Sequence, residues 1–307
     1  MEQTTFIDLL AEKEAKSIAL LQTFEQAAVS MNPEGYYLAY SGGKDSDVLL
    51  HVALKAGVKF AAHYNVTGID PTDVIRHIKV VRAELADKGI KLYMDAPRKF
   101  TTGQFEGLPI NMYRLVVHKK MPPTMTMRYC CSELKEHGGE GQICLTGVRW
   151  AESSKRKWRK PIEVLGRKKN EKMLFDDNDD GRMQFENCVS KNKRVLNPII
   201  AWTDAELWQY IKQENIEVCN LYSMGWKRIG CIGCPMAILK EKTRQFQYAP
   251  YVRKHLIQAF EDMLKERDRP RIDWHTGEDV MAWWIKAERH IKTQEADGQT
   301  MFDESEG

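Results

Sequence analysis

The tract Tyr37-Leu38-Ala39-Tyr40-Ser41-Gly42-Gly43-Lys44-Asp45-Ser46 constrains this chain more than any other. Its first residues, apolar or aromatic, read as a short strand, and its two glycines as a loop. Val48-Leu49-Leu50-His51-Val52-Ala53-Leu54, ended by Gly57, has the apolar pattern of a helix that begins near Asp45. A strand passing through a glycine loop into a helix opens a crossover unit, and such units build parallel sheets. The loop also carries chemistry. Gly42 and Gly43 have no side chain to keep an anion away from backbone N–H groups. Ser41 and Ser46 add hydroxyl donors, Lys44 adds a positive charge, and the helix aims its positive dipole end at the same spot. The pattern predicts a phosphate cradle, different from the Walker loop with its G-x-x-x-x-G-K-[ST] spacing.

The alternation continues downstream. Val58 to Val66 reads as a second strand, Asp73 to about Leu85 as a helix stopped near Gly89, Ile90 to Met94 as a third strand, and Ile143 to Gly147 as another. This predicts an α/β fold with a parallel sheet and helices on both faces. Ligands of such sheets bind at the carboxyl ends of strands, where the glycine loop falls and where Asn65 and Thr67 fall too. Residues 4–31 read as a leading helix. Met112 to Lys119 looks helical, and residues 204–213 form a helix capped by Thr203 or Asp204. Residues 240–267, with a break around Pro250, and 278–292 give a helical C-terminal extension. The stretch 154–194 shows few apolar positions and reads as a charged insertion or lid.

The chain has 307 residues, of which 43% are hydrophobic, enough for one large α/β domain with an appendage. It has no apolar run of about 18 residues, so no membrane span is expected. No basic and apolar leader opens it, and a cytoplasmic protein is the expectation. A net charge of only +3 makes no bulk case for nucleic acid. The basic residues cluster instead: Lys155, Arg156, Lys157, Arg159, Lys160, Arg167, Lys168, Lys169 and Lys172, with Trp158 among them. Such a run suits a nucleic-acid backbone; a solvated charge run is the plainer alternative.

Seven cysteines, an odd number, argue against a disulfide framework. Cys130-Cys131 and Cys231-Ile232-Gly233-Cys234 form two close pairs. Four thiolates suit zinc or an iron–sulfur cluster. Adjacent cysteines diverge, which a [4Fe–4S] cubane accepts more readily than one tetrahedral ion does; a redox or incidental arrangement is the third reading. Cys144 reads as a buried thiol in a strand. Cys188 lies in the charged insertion, and Cys188 and Cys219 are ambiguous.

Several segments together resemble a known family. The glycine loop is similar to the PP-loop of the ATP pyrophosphatase superfamily, which includes sulfonucleotide reductases. Arg128-Tyr129-Cys130-Cys131-Ser132-Glu133-Leu134-Lys135 and Gly230-Cys231-Ile232-Gly233-Cys234-Pro235 resemble the two cysteine motifs of the phosphoadenosine phosphosulfate reductase-like family. Gly147-Val148-Arg149-Trp150-Ala151-Glu152-Ser153-Ser154-Lys155-Arg156 resembles its G-[IV]-R-x-x-E-S-x-x-R segment, and Asn197-Pro198-Ile199-Ile200-Ala201-Trp202-Thr203 its N-P-[IL]-x-x-W-[ST] segment. The likeness covers roughly 34–240. It implies an adenine nucleotide alpha hydrolase-like domain over 1–240 and an extension over 241–307. It also implies a [4Fe–4S] cluster on Cys130, Cys131, Cys231 and Cys234.

The resemblance assigns ATP to Ser41, Gly42, Gly43, Lys44, Asp45, Ser46, Gly147 and Arg149, and their place at a strand end adds Asn65 and Thr67 to the nucleotide site. Mg²⁺ would bridge the phosphates, with Asp45 or Asp47 in its outer shell. Lys44, Asp45, Arg149 and Arg156 are the catalytic candidates, the arginines because a guanidinium grips phosphate or sulfate oxygens bidentately. Glu152 would orient an arginine, and Arg128, Lys135 and Arg228 would offset cluster charge. The pattern departs from the reductases in one respect. They use a cysteine nucleophile near the C-terminus, and no cysteine follows Cys234, so that a reductase of this kind would need Cys188 as an exposed reactive thiol in its place. The ATP pyrophosphatase component of DNA phosphorothioation systems needs no such tail and fits better. That likeness implies DNA as acceptor, a cysteine desulfurase as sulfur donor and further subunits of a modification complex. A sulfonucleotide reductase and a non-catalytic nucleotide and cluster sensor are the rival expectations.

Overall fold

In the computed structural model the described residues are 6–136, 138–165, 172–175, 193–267 and 271–286. Cys188, the acidic run at 176–180 and the tail beyond 286 lie outside them, as does part of the basic run. Contacts divide the chain into two compact units. The first comprises Met1–Tyr64, Thr72–Asp95 and Gly138–Ile229, and the second Asn65–Pro71, Ala96–His137 and Gly230–Gly307. The boundary at 240/241 that the family likeness implies is a proposal.

The first unit is built on a sheet. After helix α1 (Phe6–Met31) come β1 (Tyr36–Ala39), α2 (Lys44–Ala56), β2 (Phe60–Asn65), α3 (Thr72–Asp87) and β3 (Leu92–Asp95). β4 (Ile143–Leu145), β5 (Ile162–Leu165), β6 (Lys172–Phe175) and β7 (Lys193–Leu196) complete it. Among the described residues the strand order is β3-β2-β1-β4-β7-β5-β6. β1 pairs in parallel with β2, Ala39 opposite His63, and with β4, Tyr37 opposite Cys144; β4 pairs in parallel with β7. β5 runs antiparallel to both β6 and β7.

The central strands are apolar because both sides are covered: Tyr36, Leu38, Ile143, Cys144 and Leu145 are buried. α2 buries Val48, Leu49, Val52 and Ala53 at helical spacing, and its C-cap Gly57 takes the left-handed conformation, φ 68°. Burial of each Val or Leu contributes roughly 1.5–3 kcal/mol.

The insertion differs from expectation. Ile162, Glu163 and Val164 are buried in β5, so part of the charged stretch belongs to the sheet. Four residues are too few for periodicity to reveal a strand, and the polar Glu163 hid it; its carboxylate is neutralised by Arg159.

The second unit carries α4 (Met112–Lys119), α5 (Tyr129–Leu134), α7 (Leu239–Tyr248), α8 (Pro250–Lys265) and α9 (277–286); α6 (Asp204–Gln213) belongs to the first. α4 and α8 pack on each other. Among the described residues no helix is long and apolar enough to cross a membrane.

Candidate nucleotide and thiol sites

The glycine loop follows β1 and opens α2, as its sequence predicts. Gly42 has φ 69°, and a Cβ there would come within 3.0 Å of Ile78 and 3.1 Å of Val74 on α3. Only glycine takes that conformation cheaply. Ser46 braces the turn from inside. Its hydroxyl accepts from the N–H groups of Ser41 (3.2 Å) and Gly43 (3.1 Å) and donates to the Gly43 carbonyl at 2.8 Å. The N–H of Lys44 donates to the Tyr222 hydroxyl at 2.9 Å. Ser46 is therefore a brace of the cradle rather than an open donor. Gly147 lies against the same turn, since a Cβ there would sit 2.9 Å from the Asp45 carbonyl oxygen.

Arg149 departs from expectation. Its side chain is 0% exposed. Nε donates to Asp45 Oδ1 at 2.5 Å, Nη1 to the Trp202 carbonyl at 3.0 Å and Nη2 to Asp204 Oδ1 at 2.7 Å. With its fork committed to these acceptors, Arg149 positions Asp45 and Asp204 instead of presenting its face to an anion. Asp45 in turn holds the Lys44 ammonium, Nζ to Oδ2 3.0 Å, and Asp204 lies 3.8 Å from the same nitrogen. The Arg149 hydrogen bond keeps the Asp204 carboxyl below its ordinary value.

Asp47 is likewise turned from the part expected of it. It is buried, and its Oδ1 accepts from the Tyr40 hydroxyl at 2.6 Å and meets His77 Nε2 at 3.1 Å. Burial pushes its carboxyl up despite these partners. Asp45 is the less buried of the two loop carboxylates, and its oxygens meet Arg149 and Lys44.

Arg156 pairs with Glu152, whose other contact is the Arg149 N–H at 3.0 Å. Glu152 thus bridges the Arg149 N–H and the Arg156 guanidinium on the same segment. Burial, then the like charges of Arg228 and Arg159, push the Arg156 guanidinium down to about 10. Arg228 therefore acts within the first unit, on Arg156. Trp158, between Arg156 and Arg159 in sequence, is 79% exposed. Trp202 is core, whereas Trp208 is 40% exposed, edge-on to Tyr222. Sequence reading missed Tyr222, Asp204, His77 and Tyr40. Asp204 had a signal, but one that read as a helix cap.

The second unit gathers the two cysteine pairs. Cys130 and Cys131 share a hydrogen bond and feel the charges of Cys231 and Cys234. The Cys130 hydrogen bond, with Arg128 Nη2 donating to Cys131 Sγ at 3.2 Å, pulls the Cys131 thiol down to about 6. Burial pushes Cys231 up to about 11 against the nearby Lys135. Lys135 is raised by the Cys231 charge, so it stays protonated. Thr67 lies here, its hydroxyl 3.6 Å from Cys231 Sγ and 2.6 Å from Asp70 Oδ2, and Asn65 donates to the Lys135 carbonyl at 3.3 Å. Both belong to the compact unit of the cysteines, and the structure ties them to that group. Among the described residues no three of His, Cys, Asp and Glu stand arranged to hold a metal ion. The donor chemistry nonetheless fits an iron–sulfur cluster: four sulfurs, with Arg128 and Lys135 supplying positive charge.

A sheet of this topology, with a glycine cradle at the end of its first strand, defines a nucleotide-binding α/β enzyme class. The chain belongs to the phosphoadenosine phosphosulfate reductase domain family, which matches residues 35–237. It is 28% identical over 221 residues to sulfate adenylyltransferase subunit 2 of Rhizobium sp. (strain BR816), covering 69% of this chain and 67% of that one. Sulfate adenylyltransferase subunit 2 1 of Marinobacter nauticus is 27% identical, over 69% of this chain and 66% of its own. The chain thus spans about two thirds of the length of these relatives. Among solved structures, the FMN adenylyltransferase of Candida glabrata aligns at a TM-score of 0.46 with 16% identity, over 76% of this chain and 67% of that one. The phosphoadenylyl-sulfate reductase of Candida auris aligns at 0.41 with 16% identity, over 75% and 97%.

Proposed function

We propose that the protein is an ATP pyrophosphatase that activates an anionic oxygen for sulfur transfer, with a backbone phosphate of DNA as the acceptor. The reading is carried by one observation: a glycine cradle braced by Ser46, with Lys44 held by Asp45 and Asp45 held by buried Arg149. Such a loop would take the β- and γ-phosphates of ATP at Lys44 and the positive end of α2, with a phosphate oxygen replacing the Tyr222 hydroxyl on the Lys44 N–H. Mg²⁺ would neutralise the leaving pyrophosphate, with Asp45 in its outer shell. The acceptor oxygen attacks the α-phosphorus, pyrophosphate leaves, and the acceptor carries AMP. The names of the relatives accord with this step, because sulfate adenylyltransferases join an adenylyl group to an oxyanion.

Arg156, with Arg159 and Arg228 near it and the exposed Trp158 close in sequence, is the surface for a nucleic-acid backbone and a stacked base. Cys130, Cys131, Cys231 and Cys234 would hold a [4Fe–4S] cluster, which supplies electrons when bound. The outer sulfur of a cysteine desulfurase persulfide attacks the activated phosphorus and AMP leaves; a thiol reductant then attacks the carrier sulfur of the resulting S–S bond, forming a disulfide with the carrier and leaving sulfur on the acceptor.

The relatives also favour a second reading, in which sulfate itself is the acceptor. The test is pyrophosphate release from ATP by anaerobically purified protein, with DNA, with sulfate and with neither. Stimulation by DNA supports the proposal, and stimulation by sulfate alone moves the protein to the second reading. Sulfite made from a sulfonucleotide without ATP would refute both.

A further inference from the structure

We propose that the helices beyond the family domain clamp the two cysteine pairs at a fixed separation, with Trp284 and Gln245 as the positioning residues. The inference rests on the cluster reading above. The family likeness ends at residue 237, and α7 and α9 follow it. Both reach back to the cysteines.

On one side is the turn between Cys231 and Cys234. Its Gly233 N–H donates to Gln245 Oε1 at 2.8 Å, a buried bond from α7. Gly233 has φ 69°, and a Cβ there would lie 2.5 Å from Phe246 Cζ and 3.0 Å from Trp284 Cη2. Two aromatic rings from the extension therefore press on the backbone of the cysteine turn. On the other side is the segment that leads into α5. Trp284 Nε1 donates to the Pro123 carbonyl at 2.6 Å, and Trp284 is 1% exposed. Arg267 donates to the Lys120 carbonyl, and the Tyr129 hydroxyl to that of Met121, which ties this segment to the helix bearing Cys130 and Cys131.

One indole thus touches both halves of the thiol group, its ring on one turn and its N–H on the approach to the other. The physical need is plain. Four thiolates repel one another, and two pairs far apart in sequence have no local reason to keep one spacing. A bond buried on both sides fixes that spacing because breaking it strands a carbonyl away from water. The extension thereby acquires a function that its sequence does not announce.

The experiment is anaerobic reconstitution of the full chain with iron and sulfide, in wild type, Trp284→Phe, Gln245→Leu and Gln245→Glu. Iron loss to a chelator and the electron paramagnetic resonance signal of the reduced protein are then recorded. Trp284→Phe keeps a ring and removes the donor; Gln245→Glu keeps the acceptor. The expected result is iron loss faster by roughly ten-fold in Trp284→Phe and Gln245→Leu, a shifted resonance signal, and near-normal behaviour in Gln245→Glu. Thermal unfolding of the metal-free proteins is recorded beside them: stranding the Pro123 carbonyl or the Gly233 N–H should lower stability in Trp284→Phe and Gln245→Leu, so the clamp is read from the shifted resonance signal, which general destabilisation would not move. Wild type and variants that hold iron equally firmly, with identical signals, would overturn the clamp alone. A wild type that takes up no iron would overturn the cluster reading and the clamp with it.

Discussion

Arg149→Met removes every donor of a buried guanidinium while keeping most of its volume. Three acceptors lose their partner, and they are not equal. The Asp204 side chain is 63% exposed, so water replaces the guanidinium and the loss is about 0–1 kcal/mol. The Asp45 side chain is 22% exposed and loses a charge-assisted bond, about 1.5–3 kcal/mol. The Trp202 carbonyl, bonded in a buried setting, is left unsatisfied at about 1–3 kcal/mol. The desolvation cost of the buried guanidinium disappears with it, which offsets part of this sum. A net loss of roughly 2–4 kcal/mol follows, a large share of the roughly 5–15 kcal/mol that holds a domain folded.

Binding changes as well. Asp45, freed from Arg149, turns its whole charge on Lys44 and weakens the cradle for phosphate, so ATP affinity should fall by about ten-fold, equivalent to roughly 1.4 kcal/mol. Arg149→Lys supplies one point charge to three divergent acceptors and should recover less than half of either effect. Urea unfolding followed by tryptophan fluorescence gives the stability, and calorimetric titration with ATP gives the affinity. If Arg149→Lys equals wild type in both, fork geometry is irrelevant and the reasoning is refuted. Unchanged ATP binding by Arg149→Met would refute it equally.

Other consequences are sharper in direction than in size. Gly147→Ala drives a methyl group to 2.9 Å from the Asp45 carbonyl oxygen, so it should displace the loop and weaken ATP binding. Equal titration curves would contradict this. Trp158→Ala removes an exposed ring and should leave stability within about 0.5 kcal/mol. It should weaken DNA binding by about 1–3 kcal/mol, read by fluorescence anisotropy at fixed salt; an unchanged anisotropy curve would count against the basic surface. The Arg149–Asp204 coupling should also depend on pH. A carboxyl held below its ordinary value of 3.8 contributes stability above that value and loses it as pH falls through the lower folded one. A double-mutant cycle should therefore give a flat coupling at neutral pH that fades below about pH 4.

Much of the architecture was legible from periodicity and punctuation. β1, α2, α4 and α6 fall within a residue or two of their predicted bounds, because alternation, Gly57 and the Thr203 cap are local signals. The break near Pro250 separates α7 from α8 as proline requires. β5 was not legible, since a four-residue strand completed by distant partners has no signature of its own. The motifs named the glycine cradle and the cysteines by residue type alone.

Tertiary structure decided what those residues do. Nothing local tells Arg149 that Asp45, Asp204 and Trp202 will surround it, or Asp47 that Tyr40 and His77 will bury it. Thr67 read as a neighbour of phosphate because it follows a strand, and its hydroxyl lies by Cys231. Trp284 carries no local signal of its part, and its buried N–H reaches Pro123. Residue type and spacing are written along the chain, so they set the chemistry available. Which donor meets which acceptor depends on segments far apart in sequence, and only folding brings those together.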